Sequence, residues 1–165
     1  MKRLSPGGQK VLKSVHLVCS GVWLSSVLML LLLPLLQAPA TSDEGLRMFI
    51  RVYHFIDLKV LTPAAVLTLL TGLAYSLFTN WGFAKHGWIV FKWVVTLVIV
   101  LWGTFHLGPA VESLLAWSGQ GHLAMAQQPV FLHAMRLGTV AAIINLTGLV
   151  LACVLSVYKP WKNIR

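Results

Sequence analysis

The sequence has little charge and almost no acid. Charged residues make up 10% of its 165 positions, with four Asp or Glu against thirteen Lys or Arg. A water-exposed domain carries roughly 25% charged residues, so this chain has too few to cover a wetted surface. Its two cysteines exclude a disulfide-held scaffold. There is no Cys-x-x-Cys, no Cys-x-x-Cys-His, no Gly-rich phosphate loop and no His-Glu-x-x-His. Metal-thiolate and nucleotide chemistry therefore have no motif here. No internal repeat or low-complexity tract is found. Sustained alternation is also missing from the apolar stretches, which argues against a membrane β-barrel.

What is present is apolar. Hydrophobic residues reach 58% and the mean hydropathy is +0.80, which excludes disorder. A bilayer core needs about 20 consecutive, mostly apolar residues per helix. Stretches at about 15–36, 55–78, 88–107 and 130–158 meet that need, and the length allows one domain. The expected fold is all-α, a four-transmembrane-helix bundle. Connections are short: 79–87 reads as a tight polar turn, and Pro39, Ser42, Asp43, Glu44 and Gly45 are turn and helix-start residues. The longest, 108–129, holds a Ser118-Gly119-Gln120-Gly121 breaker. Within it, 111–117 reads as an extension of the third span or a short interfacial helix. The opening 40 residues resemble a signal peptide ending in Ala38-Pro39-Ala40, but the apolar run is long for one and reads as a span.

The formal net charge of +9 at first invites nucleic acid as a partner; its distribution gives another account. Lys2, Arg3, Lys10, Lys13, Lys85, Lys92, Lys159, Lys162 and Arg165 fall on one side of the expected bundle with no acid among them. Arg47, Arg51, Lys59 and Arg136 balance Asp43, Glu44, Asp57 and Glu112 on the other. By the positive-inside rule both termini are expected to be cytoplasmic, in the cytoplasmic (inner) membrane. The expected partner is the bilayer and not nucleic acid, with a homo-oligomer or a larger membrane complex open.

Polar groups are expensive in lipid, so those present are expected to face the bundle interior. At 100° per residue, Lys92, Thr96, Gly103 and His106 share one stripe, and His54, Asp57, Thr68, Gly72 and Tyr75 another. The first span offers His16, Ser20 and Trp23, and the fourth His133, Arg136 and Thr147. By depth they form an inner His16/Lys92 pair and an outer set of His54, His106 and His133. Each has a plainer role: Lys92 snorkelling to the interface, His16 ending a helix, and the outer histidines simply interfacial. His86 and His122 read as solvated loop residues. Cys19 and Cys153 read as small core residues, Gly72 and Gly103 as close-packing sites, and most of the tryptophans as interfacial belts. Imidazoles on facing helices at one depth are natural axial ligands for haem iron. Arg136, Arg51 or Lys92 would then pair with propionates. The outer three histidines form a set suited to copper.

Four segments in order resemble the HemJ-type membrane protoporphyrinogen oxidases. VLKSVHLVCSGVW, with Lys13, His16 and Trp23, is similar to the family's first-helix Lys-x-x-His and following Trp. LTPAAVLTLLTGL, with Thr62, Pro63 and Gly72, resembles its Thr-Pro segment ending in Gly. GWIVFKWVVTLVIVLWGTFH places Trp88, Lys92 and His106 like its third helix, and VLSVYKPW resembles its closing Lys-Pro-aromatic. The resemblance implies a four-helix membrane bundle binding haem b or porphyrin, with His16 and Lys92 as key residues. The first span lacks the family's Arg and His near its end. The fourth has Ile-Ile-Asn-Leu around Asn145 where an Asn-Glu-Val-Pro segment is expected. These departures leave a haem- or quinone-linked relative as open as the oxidase. A non-catalytic accessory subunit of a larger complex and a copper or small-solute transporter are the alternatives.

Overall fold

A computed structural model describes residues 3–37, 43–118 and 129–161. It is all-helical among the described residues, with four helices long and apolar enough to cross a membrane. Helix α1 (Pro6–Leu32) is capped by the Ser5 hydroxyl, which accepts from the Gly8 N–H at 3.2 Å, with Pro6 in the first turn. It ends in a 3₁₀ stretch, Leu33–Gln37. Helix α2 (Asp43–Phe55) runs through a π turn (Ile56–Leu61) into α3 (Thr62–Phe78). Helix α4 (Gly87–Trp102) runs through a second π turn (Gly103–Leu107) into α5 (Gly108–Ser118). Helix α6 (Pro129–Tyr158) is unbroken.

Both π turns have the same local cause. Pro63 and Pro109 have no N–H to donate, and their rings crowd the preceding turn. In each case the residue just before the proline bonds five positions back instead: Thr62 N–H to the Asp57 carbonyl, and Gly108 N–H to the Gly103 carbonyl. The helix widens for one turn and continues. The second and third spans thus run over Asp43–Phe78 and Gly87–Leu115, longer than the expected 55–78 and 88–107. The stretch 108–118 is an extension of the third span's helix, and the turn residues Asp43, Glu44 and Gly45 open α2. At 1.5 Å per residue these helices are about 54 and 44 Å long, against a hydrocarbon core of about 30 Å. Their α2 and α5 ends pack together away from the termini. Leu46, Ile50, Leu114 and Phe131 form that core, joined by Tyr53 and Val111.

The central core is Trp23, Val27, Ala64, Ala65, Ile99, Ala142 and Leu149. Membrane helices gain from close van der Waals contact and not from leaving water, which explains the alanines and Gly148. A Cβ at Gly148 would lie 3.0 Å from Val95 Cγ1, so α4 and α6 approach where a side chain has no room. Helix α1 packs along α3 and α6, and α4 along α6, while α3 and α4 touch at few points. Outward faces remain apolar, with Leu17, Val18, Leu70, Val98 and Ile144 all exposed, as a surface against lipid requires.

The first and last described residues lie at one end of the bundle, called here the terminal end. Leu4 N–H donates to the Phe78 carbonyl, and Gly87 N–H to the Trp161 carbonyl. Left-handed φ values at Lys159 (47°) and Trp161 (53°) turn the chain back to reach Gly87. The Ala38-Pro39-Ala40 end, the 119–121 breaker, His122, Lys2, Lys162 and Arg165 lie outside the described residues.

Candidate functional site between the helices at the terminal end

All four spans contribute polar groups to one region of the terminal half. Thr71, seven residues before Phe78, lies about 10 Å below the terminal end, and Lys92, five residues past Gly87, about 8 Å below it. His16 Nδ1 is 2.8 Å from Thr71 Oγ1. The Thr71 hydroxyl has a single proton, and it lies 2.7 Å from the Leu67 carbonyl and 3.0 Å from that of Thr68. With that proton on a carbonyl, Thr71 can only accept from the ring. Nδ1 then carries hydrogen and Nε2 keeps its lone pair, the tautomer an axial metal ligand needs. Gly72 packs beside the ring: a Cβ there would make ordinary contact with His16 Cε1 at 3.5 Å.

Lys92 is half-buried. Its Nζ donates to Ser156 Oγ at 2.9 Å, while Ser156 spends its own proton on the Ala152 carbonyl at 2.7 Å. The ammonium also stands 5.6 Å from the Trp88 ring centroid, an attractive cation–π distance. It is close enough to act electrostatically on His16 across the bundle. The inner pair therefore shares one region, with His16 from α1, Thr68, Thr71 and Gly72 from α3, Lys92 from α4 and Ser156 from α6. Seven residues deeper on α1, about 10 Å away, Trp23 closes this region off and is only 1% exposed.

Over the terminal end lies an aromatic cluster. Trp81 meets Trp88 edge-on at 5.5 Å and His86 at 5.4 Å, and His86 stacks on Trp88 at 6.2 Å. Lys159 Nζ caps Trp81 at 5.1 Å. His86 is thus a half-buried ring in a cluster, not the solvated loop residue expected. Cys19 is half-buried and Cys153 exposed, so neither is a core residue.

The outer residues are placed differently. His106 is exposed and lies against Trp102 at 4.2 Å. His133 and Arg136 are exposed on α6, and His54 is half-buried beside Asp57. No three of His, Cys, Asp and Glu converge on a metal-sized site among the described residues. Thr71 and Ser156, which hold the inner pair, were outside the expected set. Thr71 is signalled by its place one turn from Thr68 on the same stripe; Ser156 stands out only as a hydroxyl near the end of an apolar run. Compared with known proteins, the chain matches no family model, no curated protein and no solved structure.

Proposed function

We propose that the chain is an integral membrane protein that binds haem b or porphyrin for redox chemistry, of the kind the HemJ-type resemblance implies. The observation that carries this reading is the His16 ring, fixed by Thr71 with Nε2 as its remaining basic atom. The residues fit a haem in kind. His16 would supply a nitrogen ligand, and Lys92 a cation for a propionate. Bound there, the group would supply one-electron chemistry, with a membrane-dissolved acceptor such as a quinone as its partner. On the positive-inside rule the terminal end, free of acid in the sequence, faces the cytoplasm, and the membrane is the cytoplasmic (inner) one.

The test is an absorption spectrum of protein purified from haem-replete cells. The wild type is expected to show a Soret band and a reduced α-band of b type. His16→Ala is expected to lose them, and His106→Ala to keep them unchanged. A wild type without a Soret band overturns the reading.

A further inference from the structure

We infer that Lys85 and Lys159, gathered at the turn between α3 and α4, bind the phosphate of an anionic phospholipid. The site does not depend on haem. Both lysines converge on Trp81. Lys159 Nζ stands 5.1 Å from the Trp81 ring centroid and has no hydrogen-bond acceptor among the described residues. Lys85 is exposed and lays its stem along Gly82, where a Cβ would lie 3.5 Å from Lys85 Cγ. Its Nζ lies 3.5 Å from the Asn80 carbonyl. Asn80 and Gly82 are the chain neighbours of Trp81, so two ammonium groups are brought to one turn. Neither is offset by a carboxylate, because all four acids of the sequence lie on α2, the first π turn and α5. Like charges gathered in this way repel unless an anion joins them.

The backbone is strained where it delivers Lys159. Its φ of 47°, and that of Trp161 at 53°, lie in the left-handed region that side chains other than glycine rarely adopt. The Gly87 N–H, bonded to the Trp161 carbonyl, latches this conformation to the start of α4. The strained turn holds Lys159 back against Trp81. The surroundings decide between a lipid and a free anion. The turn joins two membrane spans, so it lies at the level of the headgroups. Phe83, in the same turn, is 41% exposed, and Leu77, in the last turn of α3, is 39% exposed. They offer apolar surface for acyl chains beside the lysines. A phosphate between ammonium groups, with its chains on apolar side chains, is the chemistry of an anionic phospholipid.

The experiment titrates the full chain, delipidated in neutral detergent, and counts bound lipid by native mass spectrometry. The probes are phosphatidylglycerol, phosphatidylcholine and soluble glycerol 3-phosphate. The wild type is expected to bind phosphatidylglycerol at least about tenfold more tightly than either of the others. Lys85→Gln and Lys159→Gln should each weaken phosphatidylglycerol about tenfold, while Lys159→Arg stays near wild type. Lys85→Gln leaves the contact of Lys159 with Trp81 in place, so its loss of lipid is not a loss of fold. Lys10→Gln, which removes an exposed charge from the early turns of α1, should stay within about twofold of wild type. Equal binding of the two lipids by the wild type overturns the assignment. So does an equal loss in Lys10→Gln, which would mark diffuse surface charge. Wild-type affinity in both Lys85→Gln and Lys159→Gln also overturns it, and leaves Lys159 a structural clamp on Trp81. Glycerol 3-phosphate bound as tightly as the lipid makes the ligand a free phosphate and overturns the lipid.

Discussion

One proton decides what His16 offers. Because the Thr71 hydroxyl lies within reach of two backbone carbonyls, it meets the ring as an acceptor and fixes where the imidazole hydrogen sits. Ser156 does the same for Lys92, taking an ammonium hydrogen while giving its own to a carbonyl. Two plain hydroxyls thus orient the two chemically able side chains of the site. Size matters elsewhere. Trp23 is 1% exposed within the central core, whereas Trp102, 47% exposed, faces outward. Trp23→Ala is expected to cost about 3–5 kcal/mol, the range for large-to-small changes of a buried aromatic. Trp102→Ala should stay within about 0.5 kcal/mol, as surface changes do. Thermal unfolding of both variants in detergent checks the contrast.

At the scale of elements, the prolines decide how far the pattern can be read. The stripe that joins Thr68 and Gly72 on α3 is uninterrupted and finds the neighbours of His16 correctly. Lys92, near the start of α4, is likewise well placed by period alone. From each π turn onward the count fails. A π turn adds a residue to the helix, so the 100° step carried through it points to the wrong face. His106, extrapolated from Lys92 across Gly103, emerges exposed for this reason. Proline in an apolar run reads as a helix end, and here the two long helices absorb it instead. The fourth span, with no proline after Pro129 until Pro160, was legible almost to the residue. Helix α2 was hidden because its polar face looks like a connection, although Leu46, Ile50 and Tyr53 recur at helical spacing and are buried. Ile50→Ala is expected to cost about 2–5 kcal/mol, concentrated on the α2–α5 pairing. Hydrogen exchange should then speed up across 43–55 and leave 62–78 protected; uniform loss through both would contradict a separately packed end.

At the scale of the whole molecule, the backbone bonds of Leu4 to Phe78 and Gly87 to Trp161 gather the start of α1, the end of α6 and the turn between α3 and α4 at one end. Every described acid lies away from that end, on α2, the first π turn and α5. The proposed orientation has a direct check in a background where Cys19 and Cys153 are serine. A cysteine replacing Ala84, exposed at the terminal end, should be reached by a membrane-impermeant maleimide only after the cells are opened. One replacing Glu112, exposed on α5, should react in intact cells, and the reverse pattern inverts the topology. The order in which the helices pack has a further consequence, for biosynthesis. Helix α4 leans along α6 and scarcely on α3, its neighbour in the chain. While the ribosome is still making the loop before α6, the α1–α3 pair can assemble but α4 has no wall to settle against. Ser156, which steadies Lys92, lies in the last turn of α6. The nascent chain therefore cannot complete its polar interior until α6 has been made.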